Sequence, residues 1–167
     1  MNSTIGCLGG AAYSGLFETS LDRRTRRSSG WGEIGSGTGT GELLGLRVRA
    51  AVRELEDVIG EAEQPNWDGV GAPAIDSEAY ARGLAFLNAI PSTVRLPAIA
   101  VDPDGDLNFE WIASREWRVA VSLDDRNVVN FAAMFGKNLL HGTEDFSGDL
   151  PESVWRALQR IFARQAE

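Results

Sequence analysis

The sequence predicts an α+β domain: two helices, an antiparallel meander of four strands with a fifth in reach, and a closing helix, with the helices on one face of the sheet. Three observations predict it. From Pro97 to Phe135 the apolar residues fall on odd positions: Ile99, Val101, Leu107, Phe109, Trp111, Trp117, Val119, Val121, Leu123, Val129, Phe131 and Ala133. A period of two belongs to a half-buried strand. The alternation also passes three turn-like interruptions without losing phase, whereas apolar residues before and after it recur at helical spacing. Helices segregated from strands argue α+β and not α/β.

The first helix runs from Glu42 to Glu63, with Leu44, Val48, Ala51, Leu55 and Val58/Ile59 along one face. The second starts at Asp76 or Ser77, either of which can cap it, and carries Tyr80, Leu84, Leu87 and Ile90 until Pro91 stops it. Strands follow at roughly 97–102, 106–112, 116–124 and 128–135. Asp102 and Asp106 close a three-residue loop, Pro103-Asp104-Gly105, with Gly in the left-handed position. A loop at Ala113-Ser114-Arg115 pairs Trp111 with Trp117 and Glu110 with Arg118. A loop at Asp125-Arg126-Asn127 pairs Leu123 with Val129, Asn127 taking the left-handed position. A fifth strand forms if Gly136-Lys137-Asn138 turns Leu139 back against Phe135. The last helix follows Pro151, a favoured first-turn residue, and presents Val154, Leu158, Ile161 and Phe162.

The domain therefore occupies residues 42–167. Residues 1–41 read as a Gly/Ser/Thr-rich arm ending in a linker-like run from Gly35 to Gly41. The arm is either disordered or a segment that orders on a partner or covers an exposed face. Of a net charge of −8, the arm contributes Arg23, Arg24, Arg26 and Arg27 against only Glu18, Asp22 and Glu33, so the remainder is more acidic than the whole. An acidic domain argues against a duplex DNA footprint, which needs clustered cations. A single cysteine, Cys7, fits a reducing compartment, and no run of about twenty apolar residues or signal-peptide core is present. The expectation is a cytoplasmic protein with no membrane association.

The loop Pro65-Asn66-Trp67-Asp68-Gly69-Val70-Gly71-Ala72-Pro73 has the densest run of special residues in the chain. Asn66 and Asp68 can form Asx turns, the glycines allow positive φ, and Trp67 can plug the loop into the core. This loop, then a capped helix, then a Gly-Asp hairpin with Glu110-Trp111, resembles a group of small uncharacterised bacterial proteins with an Asn-Trp-Asp-Gly-x-Gly-Ala-x-Pro loop. Those carry an aromatic where this chain has Val70, and their Pro stands one residue later than Pro73 does after Ala72. The resemblance covers roughly residues 62–162 and implies a fold with no attached chemistry.

Candidate chemistry is sparse. The single histidine, His141, has Glu144 three residues on, and with Asp68 these form the set an acid-base hydrolase would use. In the expected register His141 lies on the helix-facing side. No nucleophile elbow is present. Asp102-Pro103-Asp104-Gly105-Asp106 lacks the Gly and Glu spacing of an EF-hand, one His and one distant Cys make no usual zinc set, and no phosphate-loop or dinucleotide fingerprint occurs. No cofactor or metal is implied.

The complementary, even-numbered face of the sheet is rich in small residues and only half polar: Glu110, Ile112, Arg118, Ala120, Ala132 and Met134 stand out. Such a face suits contact with another chain, a second copy or the arm. The reading is a small acidic protein-binding module, inhibitor-, antitoxin- or immunity-like, using that face together with Trp67 and Asp68. Homodimerisation through the open face and an acid-base hydrolase are the alternatives.

Overall fold

The computed structural model describes residues 40–163, with side chains from Arg47 onward. The Gly-rich arm, Cys7, the arginine cluster and the side chain of Leu44 lie outside the described residues. The chain forms α1 (Thr40–Ala62), α2 (Ala79–Ala89), β1 (Ala98–Val101), β2 (Leu107–Ser114), β3 (Trp117–Leu123), β4 (Val128–Phe135), β5 (Asn138–Asp145) and α3 (Glu152–Ala163). The five strands make one antiparallel sheet in sequence order. It is the expected α+β meander with its fifth strand.

The odd face is the core. Ile99, Leu107, Phe109, Val119, Val121, Leu123, Val129 and Phe131 are buried there with Leu55 of α1, Phe86 of α2 and Val154, Leu158 and Ile161 of α3. Burying each such side chain contributes about 1.5–3 kcal/mol. α2 meets the sheet through Phe86, whose ring centroid is 4.4 Å from that of Phe109. α3 crosses the other end, where Arg160 sits 4.2 Å above the Phe135 ring. All three helices thus lie on one side of the sheet.

Two hairpins follow the expected register. Val101 pairs with Leu107, and Gly105 takes φ 94° inside the three-residue loop. Leu123 pairs with Val129, and Asn127 takes φ 60°.

The other two differ. Trp111 pairs with Val119 and not with Trp117, Glu110 faces Ala120, and Arg118 faces Ile112. The loop is the two-residue Arg115-Glu116, and a register shift between Ile112 and Ser114 takes up the odd residue, Ala113. Neither loop residue adopts positive φ, so the turn lacks the twist a tight hairpin requires, and a bulge supplies it. Because the bulge absorbs one residue, the odd and even faces survive although the pairs move by two.

At the last turn Phe135 pairs with Asn138 across Gly136-Lys137. Gly136, with φ 65°, occupies the first central position, as a tight type II′ hairpin requires. Leu139 therefore opposes Met134, and His141 opposes Ala132. The expected register had Leu139 against Phe135 and His141 on the helix side; the shorter turn moves both to the open face.

The second helix also begins later than expected. Ala79 is its first residue and Glu78 its cap position, with no side-chain cap. Asp76 acts one turn upstream, accepting from the Glu78 amide at 3.1 Å and from the Arg82 guanidinium.

The two sheet edges are unlike. On β1 the amide of Ile99 donates to Glu54 Oε1 of α1 at 3.0 Å, so a side chain takes up one of that edge's amides. β5 is the opposite edge among the described strands, and Leu139 and Leu140 are both exposed on it.

Candidate functional site

The register arranges the open face in rows that run across the strands. One row is Ile112, Arg118, Met134 and Leu139. The next is Ala98, Glu110, Ala120, Ala132 and His141, and the third is Ala100, Asn108, Ser122, Asn130 and Thr143. The first row ends in two apolar residues about half exposed, Ile112 at 49% and Leu139 at 56%. The middle row is floored by alanine, with Ala120 at 3% and Ala132 at 0% exposure.

The third row is hydrogen-bonded toward the sheet's other end. Asn108 Nδ2 donates to Asp102, Ser122 Oγ donates to Asp106 Oδ2 at 2.8 Å, and Thr143 Oγ1 donates to Asn130 Oδ1 at 2.8 Å. Beyond it the turns and strand ends carry Asp102, Asp104, Asp106, Asp124, Asp125 and Asp145. Burial raises the pKa of the Asp106 carboxyl; the Ser122 hydroxyl pulls it back down, while Asp104, Asp124 and Asp125 add repulsion. Burial works against the charge on Asp124 too, but the Val128 and Arg126 amides and the Arg126 guanidinium outweigh it and lower its pKa. The face is therefore graded, apolar at one end and acidic at the other.

Of the residues read from the sequence, Glu110, Ile112, Arg118, Ala120, Ala132 and Met134 do share this face. Trp67 and Asp68 do not join them. They sit in the α1–α2 loop, where Trp67 packs partly buried against the helix-side core and donates its indole N–H to the Pro73 carbonyl at 3.0 Å. Asp68 Oδ1 accepts the amides of Val70 at 2.9 Å and Ala72 at 3.0 Å, the Asx arrangement. Asn66, Gly69 and Gly71 all take positive φ in the same loop. Loop closure accounts for these residue types.

The set Asp68, His141 and Glu144 is not brought together on one surface. His141 pairs with Ala132 on the open face, whereas Glu144 pairs with Val129 on the core face and accepts from Ser153 of α3. Asp68 belongs to the loop on the helix side. A concavity of about 140 Å³ lies between Arg47 and Val48 of α1 and Ile90, Pro91 and Val94 after α2. It is well below the size of a usual small-molecule site, and none of the three residues lines it. Among the described residues no cluster of three or more His, Cys, Asp or Glu is placed to hold a metal ion. Among them too, no helix is long and apolar enough to cross a membrane.

Sequence reasoning missed that Leu139, His141 and Thr143 extend the open face onto β5. The signal was Gly136 followed by Lys137, a pair suited to a two-residue turn. Comparisons with family models, curated proteins and solved structures gave no match.

Proposed function

We propose that this chain is an acidic protein-binding module, inhibitor-, antitoxin- or immunity-like in mode, that engages its partner through the open face of the sheet. The observation that carries the reading is the row Ile112–Arg118–Met134–Leu139, apolar and half exposed at both ends, beside an alanine floor and an aspartate border. Apolar contact with a charged rim is the composition of a specific interface. The aspartates favour a partner with a basic surface, attract it at long range and make its capture salt-dependent.

The test is affinity capture from the native cell at low and high salt, using wild-type protein and an Ile112→Asp/Leu139→Asp variant. Both positions are exposed, so circular dichroism should report an unchanged fold. The expected result is a partner held at low salt, released at high salt and lost with the variant. Capture indifferent to the variant, or no partner at either salt, overturns the reading. A second copy of the chain recovered as the sole partner would turn it into homodimerisation.

A further inference from the structure

We propose that the N-terminal segment, residues 1–39, is a tethered ligand of the open sheet face, with Arg23, Arg24, Arg26 and Arg27 seated at its acidic end. The proposal rests on the reading of that face as the contact surface and names its resident occupant.

Burial is the first argument. Ala132, Ala120, Ser122 and Asn108 are each less than 5% exposed, yet α1, α2 and α3 all pack on the opposite face, and none of these four residues belongs to the core cluster. No described element packs on this face, and the 39 residues preceding α1 are the longest stretch of the chain outside the described residues.

Charge is the second. Four arginines within five positions are complementary in charge to Asp102, Asp104, Asp106, Asp124, Asp125 and Asp145, among which Arg126 already pairs with Asp124 and Asp125. Burial and, after it, the charges of Asp104, Asp124 and Asp125 raise the pKa of Asp106, and a cation beside it would offset both. A guanidinium also gives each carboxylate paired, planar hydrogen bonds.

Reach is the third. Twelve residues separate Arg27 from Thr40. A Gly/Ser-rich linker of that length spans about 20 Å on average and at most about 40 Å. A domain of this size has a radius of gyration of about 14 Å, so the arginines can reach either face. Tethering also raises their effective concentration to the millimolar range, enough to hold contacts too weak to persist between separate molecules. An external partner must then displace the segment or bind with it.

The test uses the full chain with one spin label between the arginines, as Thr25→Cys in a Cys7→Ser background, read by NMR. The expected result is loss of the amide signals around Asp102–Asp106, Asp124–Asn127 and Ala132, with those of α3 kept. The lost signals should return in 1 M salt, where the screening length is about 3 Å, and in an Asp104→Lys/Asp125→Lys variant, both positions being exposed turn residues. Broadening confined to the helix side, or equal on both faces, overturns the proposal. A mixed sample of isotope-labelled, spin-free chains with spin-labelled, isotope-free chains separates self from neighbour: broadening there makes a second copy the occupant and also overturns it. If the label leaves the face untouched while Ile112→Asp/Leu139→Asp still abolishes capture, this inference fails and the function reading stands.

Discussion

Phe131 and Gly142 lie directly opposite each other on β4 and β5, and the phenyl ring fills the space a side chain at 142 would need. A Cβ built on Gly142 would come within 2.6 Å of Phe131 Cε1. The ring is buried on the core face and cannot swing aside cheaply. Gly142→Ala is expected to destabilise by about 1–3 kcal/mol, the usual cost of overpacking, and Gly142→Val by more. Chemical denaturation of both variants checks the order.

Two helical glycines should respond with opposite signs. Gly60 has nothing within 4 Å of a built Cβ, whereas at Gly83 that atom would meet Leu55 Cδ1 at 2.7 Å. Helix propensity favours Ala over Gly by about 1 kcal/mol at either site. Gly60→Ala should therefore raise the melting temperature. Gly83→Ala should lower it, because the clash is with a fully buried leucine that fixes how closely α1 and α2 approach.

Asp68 distinguishes a structural loop from a reactive one. Its Oδ1 holds two loop amides, so Asp68→Ala is expected to cost about 1–2 kcal/mol through the amides left unsatisfied. Asp68→Asn keeps an acceptor oxygen at the same place and should recover most of that loss. Equal loss in both variants, measured by thermal unfolding, would show that the negative charge itself is needed.

Asp106 and Asp124 should respond to pH in opposite directions. The folded state raises the pKa of Asp106, so it binds that proton more tightly than the unfolded chain, and stability present at low pH is lost as pH rises through the raised value. Asp106→Asn should stabilise at pH 7, by a surface-scale amount of about 0.5–1 kcal/mol, with the gain vanishing toward pH 4. The folded state lowers the pKa of Asp124, so its stability is present above the ordinary carboxylate range and is lost as pH falls through the lowered value. Asp124→Ala should destabilise at pH 7 by about 1–3 kcal/mol, since its Oδ1 holds the Arg126 and Val128 amides, and by less in acid. Melting curves across pH 3–8 test both.

How far the sequence could be read depended on whether a turn announced itself. Gly105 and Asn127 are residue types that tolerate the left-handed region, they sit at that position in their loops, and both hairpins came out in register. Arg115-Glu116 carries no such mark, and a bulge leaves no residue signature at Ala113; parity alone was legible there, which is why the faces were right and the pairs were two residues out. At Gly136 the marker was present, but one glycine serves two- and three-residue turns alike, and the longer choice put His141 on the wrong face. The candidate site shared this limit. Membership of the open face for β2, β3 and β4 follows from period two, whereas the aspartate end and the β5 contribution depend on register.

The Glu54 hydrogen bond on β1 also bears on how this sheet can associate. With the Ile99 amide on one flank held by a carboxylate from α1, main-chain addition is favoured at the β5 flank among the described strands. Two copies joined there would each present the Glu54-bonded flank outward, which favours a closed pair related by a two-fold axis over further addition. Glu54 thus disfavours strand addition at β1, and Glu54→Ala is expected to open that flank to pairing, which light scattering against concentration would read.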